Sequence, residues 1–87
     1  MKIAVWDTYV KRENGSLMHF DILVPNDLTN EQDIYNYGND YLKSKPFKTG
    51  ILSSKECRFC HIGHGTETMI NDIENRGYSI IEMENCS

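Results

Sequence analysis

Cysteine is scarce: three residues, an odd number, cannot build the disulfide framework on which small secreted domains rely. Long apolar runs are also missing. Phe20 to Pro25 is interrupted by Asp21 and falls far short of the roughly 20 residues that a membrane-spanning helix needs. The opening Met1-Lys2-Ile3-Ala4-Val5-Trp6-Asp7 has no apolar h-region of the kind found in signal peptides. These absences set the expectation of a cytoplasmic protein with no membrane partner. With 9 basic residues against 13 acidic ones and a net charge of −4, no stripe of Lys or Arg is available to neutralise a phosphate backbone, so nucleic acid is not an expected partner. Internal repeats, linkers and low-complexity stretches are absent too.

What is present describes a folded chain. Its 87 residues suffice for a single domain spanning 1–87, burying roughly 60–65% of its unfolded surface. Hydrophobic residues at 39% and charged residues at 25% are ordinary for such a domain.

Lys2 to Val10 and Leu17 to Val24 are rich in β-branched and aromatic residues, and Asn14-Gly15 between them is a strong hairpin signal. If Asn14 and Gly15 alone form the loop, Val10 faces His19, Thr8 faces Asp21 and Trp6 faces Leu23. Trp6, Thr8, Val10, His19, Asp21 and Leu23 then share one face, and Val5, Asp7, Tyr9, Met18, Phe20 and Ile22 the other. Both faces are largely apolar and need cover. Thr29 and Gln32 fit a capping box for a helix running to about Lys45, with Ile34, Tyr37, Tyr41 and Leu42 as its apolar stripe. Phe47 to Ser54 reads as a connection and Lys55 to Ile62 as extended chain. Gly63-His64-Gly65 reads as a turn. Thr66 can cap a second helix that presents Met69, Ile70 and Ile73 and ends at Gly77, and Tyr78 to Met83 completes a last strand. The expected fold is α+β: a β-hairpin followed by α-β-α-β, with two helices on a mixed four-stranded sheet whose crossovers allow parallel pairing.

Several segments together, Val5-Trp6-Asp7-Thr8-Tyr9-Val10-Lys11, Met18-His19-Phe20-Asp21, Glu56-Cys57-Arg58-Phe59-Cys60-His61 and Glu82-Met83-Glu84-Asn85-Cys86, resemble the small bacterial family called domain of unknown function 2024. The resemblance covers nearly the whole chain. It implies a single short α+β roll and brings no assigned activity.

Chemistry concentrates in Cys57-Arg58-Phe59-Cys60-His61, with His64 three residues on and Cys86 near the end. Cys57, Cys60, His61 and Cys86 could supply the four ligands of a zinc ion, with His64 or His19 as substitutes, although a second Cys-x-x-Cys pair is absent. The same run matches a thiol redox pair, with Cys57 or Cys60 as nucleophile, and a c-type haem attachment site, which would require export. Geometry separates these readings. In a regular strand Cys57 and Cys60 point to opposite faces with Cα atoms roughly 10 Å apart, too far for a shared ion or a disulfide. A turn at Arg58-Phe59 would bring them together, but neither residue favours turns, so the strand is preferred and the cysteines become small buried hydrophobes. A second polar cluster, Thr8, His19 and Asp21, is expected on one hairpin face, either as a small site in which Asp21 orients His19 or as a satisfied structural network. Tyr35, Tyr37 and Tyr41 are expected in core or subunit contacts.

The leading expectation is a non-catalytic association domain, with no catalytic residue assigned, that forms a homo-oligomer to cover a second apolar face. The alternatives are a zinc-binding protein through the cysteine cluster and a thiol-based enzyme.

Overall fold

The computed structural model describes residues 1–87 and contains β1 (Lys2–Lys11), β2 (Leu17–Pro25), α1 (Glu31–Lys43), β3 (Cys57–His64), α2 (Glu67–Arg76) and β4 (Ser79–Glu84). The α+β class and the element order agree with the sequence. The sheet runs β3-β1-β2-β4 and every neighbouring pair is antiparallel, which corrects the expected mixed sheet. The hairpin keeps its two strands together and offers one free edge on each side; β3 takes the edge of β1 and β4 takes the edge of β2. Strands β2 and β3 do run in the same direction, as a crossover requires, but β1 lies between them and so no parallel ladder forms.

The hairpin register differs by one residue from the two-residue-loop expectation. Arg12 N donates to Ser16 O (2.8 Å) and Gly15 N donates to Arg12 O (3.0 Å), which closes a three-residue loop of Glu13, Asn14 and Gly15. Gly15 has φ 88° while Asn14 keeps an ordinary negative φ, the pattern of a type I turn followed by a glycine bulge. The Asn14 Oδ1 accepts from Ser16 N and Oγ, at 2.9 and 2.7 Å, and fixes that turn. The pairs become Trp6 with Ile22, Asp7 with Asp21, Thr8 with Phe20 and Tyr9 with His19. Because side chains alternate, this single step moves every β2 residue to the other face.

The result sorts apolar from polar residues better than the expected register. One face carries Ala4, Trp6, Val10, Met18, Phe20, Ile22 and Val24, buried against Ile34 and Leu42 of α1, Leu52 and Tyr78. Helix α1 is capped by Asn30, whose side chain accepts from Gln32 N at 3.0 Å, one residue later than Thr29. Tyr41 packs on Phe20 and Tyr37 stacks on Tyr78, each with ring centroids 4.7 Å apart, so these tyrosines act in the core as expected. Lys45 and Tyr41 both bond Glu82, tying the end of α1 to β4. The other face carries Ile3, Val5 and Leu23 under Ile73 of α2, with Met69, Ile70 and Ile81 around them. Thr66 caps α2 and Gly77 closes it at φ 91°, both as read from the sequence. No helix is long and apolar enough to cross a membrane.

Candidate cation site on the open half of the sheet

Helix α2 is only ten residues long, and its apolar side ends over Ile3, Val5 and Leu23. Further along the same face, toward the hairpin loop, β1 presents Asp7 and Tyr9, and β2 presents Asp21 and His19 directly opposite them. The His19 Nε2 donates to Asp7 Oδ1 at 2.7 Å. The Tyr9 ring stacks on the His19 imidazole, with centroids 4.2 Å apart and planes 10° from parallel, so the imidazole is held on two sides. One ligand atom each from Asp7, His19 and Asp21 lies within 4.8 Å of the others.

The two carboxylates are not equivalent. Asp21 is only 7% exposed, and its Oδ1 is buried without a hydrogen-bond partner. Burial, followed by the hydrogen bond and the negative charge of Asp7, raises its pKa to about 6. Asp7 also suffers burial, but hydrogen bonds from His19 and Asp21 and the charges of His19 and His61 outweigh it and hold Asp7 below the usual carboxylate range. Two carboxylates and an imidazole converge here, with one oxygen desolvated and unsatisfied. Such a set is suited to a small cation, which would supply the charge and contacts that the protein does not. Beside it, Asp7, Tyr9, Lys55, Glu56 and Arg58 line a groove of about 260 Å³.

The expected polar trio is thus corrected at one position: His19 and Asp21 meet Asp7, not Thr8. Thr8 is fully buried on the opposite face, its Oγ1 3.3 Å from Trp6 O and 3.4 Å from Cys57 Sγ. Alternation does put Asp7 beside Asp21, once the loop is counted as three residues.

The structure does not bring Cys57, Cys60, His61 and Cys86 together. The chain is extended here, as preferred from the sequence, and β3 begins two residues later than expected because Ser53 N and Oγ donate to Glu56 Oε1, at 2.9 and 2.7 Å, and form a turn. Cys57 is buried in the core beside Thr8, and burial pushes its thiol up to about 11, which disfavours the thiolate. Cys60 is exposed, its Sγ 3.3 Å from His61 Nδ1. Cys86 is buried beyond β4, with Sγ 3.4 Å from His19 O and 3.3 Å from Glu84 O. All three thiols are free. His64 ends β3 opposite Lys2.

The family model of Domain of unknown function (DUF2024) matches residues 1–83. The chain belongs to the DUF2024 family. The NMR structure of protein NE1680 from Nitrosomonas europaea is similar over the full length of both chains, with 34% identity and a TM-score of 0.79. No curated protein matches the chain.

Proposed function

We propose that this DUF2024 protein is a non-catalytic binding domain that holds one divalent cation between Asp7, His19 and Asp21. The observation that carries this reading is the buried, partnerless Oδ1 of Asp21 within a cluster whose ligand atoms lie within 4.8 Å of one another. A buried carboxylate oxygen without a donor is costly, and a bound cation removes that cost. At neutral pH Asp21 is mostly ionised, since its pKa is about 6, so both carboxylates are available as ligands. Equilibrium dialysis of chelator-treated protein with Zn²⁺ or Mn²⁺, read by elemental analysis, tests this. One ion per chain is expected, and Asp21→Asn or His19→Ala removes it; wild-type protein that takes up no ion at about 1 mM free metal, near the weak limit for a specific site, overturns the reading.

A second reading, self-association, is favoured by the outer strand β3. Phe59 and Ile62 on that strand are 51% and 46% exposed and stand on the same side of the sheet, opposite Trp6 and Ala4. A second copy docked there would cover them. Sedimentation at rising concentration is expected to show a dimer that Phe59→Ser weakens, and a strictly monomeric protein at about 100 μM excludes this reading.

A further inference from the structure

Asp7, His19 and Asp21 offer one ligand atom each. Zinc and its neighbours take four or more donors, so a coordination position is left for a ligand from outside the chain. The sheet shows from which side it would come. Strand β1 lies between β2 and β3, so Asp7 borders the cation site on its β2 side and Arg58, its direct partner in the ladder, on its β3 side. The groove of about 260 Å³ lies on that second side, walled by Asp7, Tyr9, Lys55, Glu56 and Arg58.

The hydrogen-bonding capacity of this groove is one-sided. Its acceptors are engaged: Asp7 Oδ1 accepts from His19 Nε2, and Glu56 Oε1 accepts from Ser53 N and Oγ. Its donors are free. Neither Lys55 nor Arg58 enters an ion pair, although Arg58 stands opposite Asp7, and the exposed Tyr9, stacked on His19, leaves its hydroxyl without a protein partner. A divalent ion cancels the charges of Asp7 and Asp21, and Lys55 and Arg58 then exceed Glu56 by one positive charge. That local excess sits in a chain whose net charge is −4.

We propose that this groove is the ligand pocket of the cation site and takes a compact oxyanion, a phosphate or a carboxylate group, with one oxygen on the ion and the others on Arg58, Lys55 and the Tyr9 hydroxyl. The inference rests on the Asp7, His19 and Asp21 reading above and extends it. An oxyanion carries acceptors only, which is what three free donors beside a cation require. The Arg58 guanidinium presents a planar fork matched to two oxygens of one group, and Lys55 adds a point charge. Pockets for drug-sized molecules start near about 300 Å³, so this groove suits a ligand of a few non-hydrogen atoms. Without the ion, the charge of Asp7 faces the groove and repels an oxyanion, so the anion depends on the ion. By linkage, the anion tightens the ion by the same factor.

The test loads chelator-treated full-length protein with Co²⁺, a zinc-class ion whose visible absorption reports its coordination shell, and titrates it with inorganic phosphate and, separately, with acetate. A saturable spectral change with Co²⁺ still bound is expected for at least one of them. Tighter phosphate marks a phosphoryl ligand and tighter acetate a carboxylate one. Arg58→Ala is expected to weaken the anion about tenfold or more while one Co²⁺ per chain is still taken up. Arg58→Lys, which keeps the charge and loses the fork, should recover only part of that affinity. Lys55→Ala, a second variant at an exposed position, should weaken the anion too, with the fold intact by circular dichroism. If wild type holds Co²⁺ but neither anion alters its spectrum at about 10 mM, or if Arg58→Ala binds the anion as tightly as wild type does, the proposal fails while the three-residue site stands. If wild type takes up no Co²⁺, the three-residue site itself fails and the proposal fails with it.

Discussion

Asp21 concentrates the conflict between stability and binding. A carboxyl whose pKa rises from 3.8 to about 6 on folding binds its proton more tightly in the native state, so its contribution favours the fold at low pH and is lost as pH rises through about 6. At 1.36 kcal/mol per unit, and discounted for nearby solvent and charge, ionised Asp21 costs the metal-free protein about 1–2 kcal/mol at pH 7. Asp21→Asn is therefore expected to raise metal-free stability at pH 7 by about that amount in urea unfolding, while abolishing cation uptake. An unchanged or lowered midpoint would show that the carboxylate is better satisfied than its surroundings indicate. His19 and Asp21 were legible as a polar pair from their spacing alone. Asp7 was not, because the choice between two and three loop residues decides which face it occupies, and the dipeptide Asn14-Gly15 fits both loops.

At the scale of elements, the capping signals of α2 were the most legible, whereas α1 is capped by Asn30 and not by Thr29. Thr66 and Gly77 bound α2 as read, since their chemistry is local. Gly77→Ala is expected to cost about 1–2 kcal/mol, measured as a lowered thermal midpoint, for two reasons. The residue sits at φ 91°, and an added Cβ would lie 2.5 Å from the Tyr37 hydroxyl. The extended course of the cysteine segment was legible too, because Arg58 and Phe59 do not favour turns. A bulge at Cys60, where Trp6 pairs with Phe59 but Val5 with His61, left no such trace, because it depends on how β3 meets β1, two strands far apart in sequence. The same applies to the antiparallel order: crossover length allows parallel pairing, but competition for the two hairpin edges decides it.

For the whole molecule, α1 covers one face of the sheet except at the outer strand β3, α2 covers only half of the other, and that open half collects the unsatisfied charge. Metal and proton compete there for Asp21. A ligand at a hundred times its dissociation constant stabilises the fold by about 2.7 kcal/mol, and here that gain should appear only when Asp21 is ionised. Between about pH 4 and pH 6 this residue makes metal-free stability fall as pH rises, and saturating Zn²⁺ should reverse the trend. Parallel slopes in thermal melts with and without Zn²⁺ would contradict this. The isolation of the three sulfurs from one another has a practical outcome. With Cys57 and Cys86 shielded in the interior and Cys60 open to solvent, a thiol-directed dye should attach rapidly at a single position in the native protein and at the other two only after denaturation. That one attachment point lies on the outer strand, so a fluorophore placed there would report directly whether a second copy docks along β3.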